Sequence, residues 1–104
     1  MKKSILAATV VAFILPIGAT VAIAGPIERA CLASNRQAAN RAVCTCIQKV
    51  ADQTLRGADQ RRAAKFFTDP DRAQETRVSK RDADNEFWRR YKAFGNAAEA
   101  SCAG

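Results

Sequence analysis

Cys31, Cys44, Cys46 and Cys102 are the residues of this chain whose type and spacing could do chemistry. Three chemistries are open to them: disulfide crosslinking, a redox couple at Cys44-Thr45-Cys46, or thiolate coordination of a metal. A metal centre wants a Cys-x2-Cys knuckle or histidines beside the thiolates; the chain has no such knuckle and 0 histidines. A redox Cys-x-Cys works best at a helix N-terminus, where the dipole stabilises a thiolate, and the residues around these two read as mid-helix. Crosslinking asks only for an oxidising compartment.

The amino-terminal residues supply that compartment. Met1-Lys2-Lys3 is a short positive region, Ser4 to Leu15 is an apolar run broken by Pro16 and Gly18, and Ala22-Ile23-Ala24 matches the small-x-small site of signal peptidases. Residues 1–24 therefore read as a signal peptide cleaved near Ala24. The competing reading is an uncleaved anchor, since Ile5 to Ala24 is long enough to cross a bilayer. Cleavage leaves 25–104 as one small periplasmic or secreted domain with no transmembrane span. A chain of about 80 residues buries too little surface for its core to suffice alone.

The elements that must position the cysteines all read as helices. Gly25-Pro26 opens the first, with Glu28 in its first turn. Ser34 and Gln37 form a capping-box pair, so a second helix is expected from Asn35 to Leu55 with the stripe Ala39, Val43, Ile47, Val50, Thr54 and Gly57 as its stop. Asp59 can cap a third helix and Asp69-Pro70 a short fourth. Residues 68–86 hold few apolar side chains and read as the polar, mobile part of the domain. Asp82 can cap the last helix, whose Phe87, Tyr91, Phe94, Ala98 and Cys102 share one face. The fold class is all-α: a small array of four or five helices stapled by two disulfides. Residues two apart on a helix point about 200° away from each other, which sets aside a bond between Cys44 and Cys46. Cys31 then pairs with one of these and Cys102 with the other, and spacing leaves open which takes which.

With 17 basic and 10 acidic residues the chain carries +7, and losing Lys2 and Lys3 with the signal leaves +5. The excess lies in the first half of the domain. Arg41, Lys49 and Arg56 fall opposite the apolar stripe of the second helix, and Arg61, Arg62 and Lys65 follow on the third, giving a candidate cationic strip for an anionic envelope surface. Trp88, with Arg89 beside it, sits at the edge of the last helix's apolar face and is a second candidate contact, for an envelope protein or an anionic head group. Nucleic acid, the usual partner of basic domains, is set aside by the export signal. An enzyme is not expected: histidine is missing, no nucleophile elbow or phosphate loop is present, and the acids of Asp69/Asp71 and Asp82/Asp84/Glu86 stand at helix starts beside arginines. No cofactor and no metal is called for.

Several segments also resemble a group of short exported bacterial proteins labelled "arginine transporter". They are Gly25-Pro26-Ile27-Glu28, Cys44-x-Cys46-Ile47-Gln48, Val50-Ala51-Asp52-Gln53-Thr54-Leu55, Phe66-Phe67 with Asp69-Pro70, and Asn85-Glu86-Phe87-Trp88 with Tyr91 and Phe94. The resemblance covers essentially the whole mature chain and implies a part in arginine or amino-acid uptake. A path through the bilayer needs several spans, so that part would be an accessory one.

Overall fold

The structure, a computed structural model, describes residues 24–103 except 35 and 38. All of the segment expected to be a signal peptide but Ala24 lies outside the described residues. Five helices follow in order: α1 (Pro26–Ala33), α2 (Arg41–Thr54), α3 (Gly57–Thr68), α4 (Pro70–Val78) and α5 (Asp82–Cys102), with no strand among the described residues. None of these helices is long and apolar enough to cross a membrane. α1 packs against both α2 and α3, α5 lies along α2, and α4 bridges α3 and α5.

The ends of the helices show which capping signals win. Pro26 occupies the first turn of α1 with Glu28, as read from the sequence. Ser34 closes α1 instead of opening α2, because its N–H and its Oγ both donate to the Cys31 carbonyl, at 3.2 and 2.6 Å. α2 accordingly starts at Arg41 and not at Asn35. Its cap is Asn40, whose Oδ1 accepts from the Val43 N–H at 2.9 Å. At the other end Gly57 is not a stop. Leu55 ends α2 in extended backbone (φ −126°, ψ 138°), which carries its side chain into the core, and Gly57 begins α3 without a positive φ. Asp59 and Asp82 are not the caps expected of them but sit inside the first turns of α3 and α5, three residues past the cap position at Arg56 and one past that at Arg81. Asp69 does hold the cap position of α4, but its carboxylate takes Arg72 Nε at 3.1 Å rather than a backbone N–H. The polar stretch 68–86 thus runs from the last residue of α3 through α4 and a short non-helical link at 79–81 into the start of α5.

The core is Ile27, Val50, Ala51, Leu55, Ala63, Phe66, Phe87, Phe94 and Ala98. The α5 stripe faces it as expected, with Phe87, Phe94 and Ala98 buried and Tyr91 and Cys102 packed at its margin. Phe66 meets Phe87 and Tyr91 edge-on at centroid distances of 5.8 and 5.0 Å, the arrangement ring quadrupoles favour. The buried face of α2 is wider than the expected stripe and displaced along the wheel: Val50 of the stripe is buried, Val43 and Ile47 are half-buried and Thr54 is exposed, while Cys44, Gln48, Ala51 and Leu55 beside it are buried as well. The wider face follows from α2 having two neighbours. Cys44 bonds Cys31 on α1 and Cys46 bonds Cys102 on α5, with Cα separations of 5.5 and 5.8 Å, so the face between the two bonds turns toward α1. This settles the pairing the spacing left open.

A polar knot lies under α1. Gln48 Oε1 accepts from the Glu28 N–H at 3.0 Å, while its Nε2 donates to Gln60 Oε1 (2.9 Å) and Asp52 Oδ1 (2.8 Å). Gln60 Nε2 donates in turn to Asp52 Oδ1 and to the Leu55 carbonyl, at 3.1 and 3.2 Å. Alongside, Thr45 Oγ1 donates to Glu28 Oε1 at 2.7 Å. Gly25 lets α1 come this close, since a Cβ there would stand 2.4 Å from Gln48 Cδ and Oε1.

Candidate functional site

Arg61 and Lys65 are four apart on α3 and so share a face of it, and Arg62 stands beside them. α4 turns back along α3 after the Asp69-Pro70 corner and brings Arg72, Glu75 and Thr76 opposite. Between the two helices lies a groove of about 440 Å³ floored by Ala58 and Phe66 and walled by these six residues. Its lining holds four cations and one carboxylate, that of Glu75. The Thr76 hydroxyl is taken up by its own helix, donating to the Arg72 carbonyl at 2.9 Å.

The four cations are not equivalent. Arg62 is fixed: its Nη2 donates to Asp84 Oδ1 at 2.6 Å and its guanidinium lies over the Phe87 ring, 4.3 Å from the centroid. Asp84 is itself held by the Ser79 hydroxyl, which donates to Oδ2 at 2.6 Å. Arg72 pairs with the exposed Asp69. Among the described residues Arg61 and Lys65 take no carboxylate partner.

The Ser79 hydrogen bond, and after it the one from Arg62, holds the Asp84 carboxyl below its ordinary value of 3.8. Folding thus favours the charged form, and the stabilisation is complete above about pH 4 and lost as pH falls through the lowered value. Replacing Asp84→Asn should therefore lower the melting temperature at about pH 6, and the deficit relative to the unsubstituted protein should shrink as pH falls to about 2.5. Thermal melts at the two pH values, followed by far-UV circular dichroism, read this directly. A deficit of the same size at both would show that the charge of Asp84 is not what holds Arg62.

The structure gathers only part of the strip expected from the sequence. Arg61, Arg62 and Lys65 meet in the groove, whereas Arg41 and Lys49 stand exposed on α2 and do not line it. Arg56 lies at the α2–α3 corner in an adjoining cavity of about 450 Å³ with Thr54, Ala58, Asp59 and Arg90. There Arg90 binds Asp59 through Nε and Nη2 at 2.7 and 3.3 Å, which raises the guanidinium's pKa and ties α5 to α3. Trp88 is half-buried against Tyr91, 5.2 Å between centroids, with Arg89 exposed beside it. Arg72 was missed. The signal for it was present, since Pro70 starts a helix on which residues 72, 75 and 76 share a face.

Cys44 and Cys46 offer no couple to one another, their sulfurs being bonded to Cys31 and Cys102. With α2 beginning at Arg41, Cys44 lies near its amino end rather than mid-helix, so it is the bond to Cys31 and not helix position that removes a thiolate there. Compared with models of known families, with curated proteins and with solved structures, the chain matches none.

Proposed function

We propose that this chain is an exported, disulfide-stapled helical module, without catalytic activity of its own, that binds an anionic component of the cell envelope in the groove between α3 and α4. The observation that carries the reading is the groove's lining of four cations against one carboxylate, with Arg61 and Lys65 free of partners among the described residues. Two disulfides accord with a periplasmic or extracellular location, as does the signal-like segment ending at Ala24. An arginine ligand would meet like charge in this groove, so an accessory role in arginine uptake would have to use another surface.

Vesicles containing anionic phospholipid test the reading. The protein as exported should bind them about tenfold more weakly at 0.15 M than at 0.01 M salt, because screening shortens from about 30 to about 8 Å. Arg61→Glu with Lys65→Glu should abolish the binding and leave the melting temperature almost unchanged, since both side chains are exposed. Absent binding, binding indifferent to salt, or full binding by the double variant would each refute the groove as the site.

A further inference from the structure

The groove contains more than positive charge. Arg62 presents a guanidinium already fixed by Phe87 and Asp84, so no side-chain freedom is lost there when a ligand arrives. Arg61 and Lys65 approach from the same helix and Arg72 from the opposite one, so cations stand on both sides of one space. A carboxylate offers two oxygens and one charge to such a set. A phosphomonoester offers three terminal oxygens and close to two charges at neutral pH, which suits a fork, two mobile cations and a fourth from the facing helix. The one acid in the lining, Glu75, is exposed on α4 and opposes a bare dianion, but it can accept from a hydroxyl. At about 440 Å³ the groove also has room for more than a phosphate.

We infer that the groove recognises a phosphomonoester carried on a hydroxylated ring, a sugar phosphate, with Arg61, Arg62, Lys65 and Arg72 holding the phosphate and Glu75 accepting from a ring hydroxyl. The inference rests on the anion-binding reading above and names its ligand class. The charged groups at the site are Arg61, Arg62 and Lys65 from α3, Arg72 and Glu75 from α4, Asp69 at the α3–α4 corner, which pairs with Arg72, and Asp84 from α5, which pairs with Arg62. The chain has 0 histidines and its four cysteines are bonded, so the side-chain types that ordinarily titrate near neutrality do not obscure the ligand's own second ionisation, at about 6.

Calorimetric titration of the protein as exported, at low ionic strength, with glucose 1-phosphate and with glucuronate provides the test. Glucose 1-phosphate should bind roughly fivefold more tightly at about pH 7 than at about pH 5, as its second proton leaves. Glucuronate, a carboxylate on the same ring, should bind more weakly and without that rise. Glu75→Leu, which removes the acceptor as well as the charge, should weaken glucose 1-phosphate and strengthen inorganic phosphate, whereas a groove that only collects charge would gain affinity for both. Equal affinity for the two sugars, a flat pH profile, or a gain for glucose 1-phosphate in Glu75→Leu would overturn the inference while leaving anion binding intact. Binding of anionic vesicles with no response to glucose 1-phosphate would also overturn it, and no binding of any anion would end both readings.

Discussion

Reduction of both disulfides should unfold this domain at room temperature, seen as loss of the near-UV circular dichroism of Trp88 and Tyr91. Cys31–Cys44 closes a loop of sequence separation 13 and Cys46–Cys102 one of 56. In the chain-entropy account these limit the unfolded ensemble by about 3 and about 4 kcal/mol. Their sum, about 7 kcal/mol, falls within the whole net stability of an ordinary domain, about 5 to 15 kcal/mol. The core cannot make up the difference, because among the described residues only two side chains larger than cysteine, Phe87 and Ile27, are fully shielded from water. A near-UV spectrum unchanged in excess reductant would mean that helix packing alone suffices.

The two bonds should also open in order. Cys31 and Cys44 are 3% and 0% exposed, whereas Cys46 and Cys102 are only half-buried. Thiol exchange needs an attacking thiolate to reach sulfur, so mild reductant should open Cys46–Cys102 first. The product keeps α1 crosslinked to α2 and frees the carboxyl end of α5. Alkylation followed by peptide mapping should find label on Cys46 and Cys102 before Cys31 and Cys44. Label on the inner pair first would contradict the burial argument.

That the cysteines would divide between α1 and α5 was legible from the sequence, because the 200° between Cys44 and Cys46 is a property of any helix. The α5 face was legible for a similar reason, its period being long and unbroken from Phe87 to Cys102. The start of α2 was not, since Ser34 with Gln37 and Asn40 before Arg41 are both acceptable caps. What decides between them is the Cys31 carbonyl, which Ser34 satisfies from outside the next helix. The groove was half legible: a run of basic residues on one helix is visible in sequence, but its facing wall is not. Arg62–Asp84 and Arg90–Asp59 join residues 22 and 31 apart, and no local pattern announces such pairs. Gln48 was the deepest omission. A glutamine between cysteine and alanine reads as the polar margin of an apolar stripe, yet it is 7% exposed because three helices converge on its amide.

Substituting Gln48→Leu should lower the unfolding free energy by about 2 to 4 kcal/mol, although leucine is apolar, similar in volume and enters a buried place. The substitution strips partners from groups that stay behind. The Glu28 N–H loses its side-chain acceptor, Gln60 Oε1 loses its donor, and Asp52 Oδ1 keeps only Gln60 Nε2. Every buried side-chain nitrogen and oxygen among the described residues has a partner, so the packing holds no spare donor to replace them. Gln60→Leu should be similarly costly, because it orphans the Leu55 carbonyl at the α2–α3 corner. The double variant should then cost less than the two singles added together, by about 1 kcal/mol or more, since each single change strands the partner that the other removes. Urea titrations of the four proteins would measure the cycle, with equal m-values confirming that the unfolded states are comparable. Strict additivity would mean the two amides act separately. A neutral or stabilising Gln48→Leu would mean that the contact of α1 with α2 and α3 owes its strength to Ile27 and the Cys31–Cys44 bond instead of to this knot.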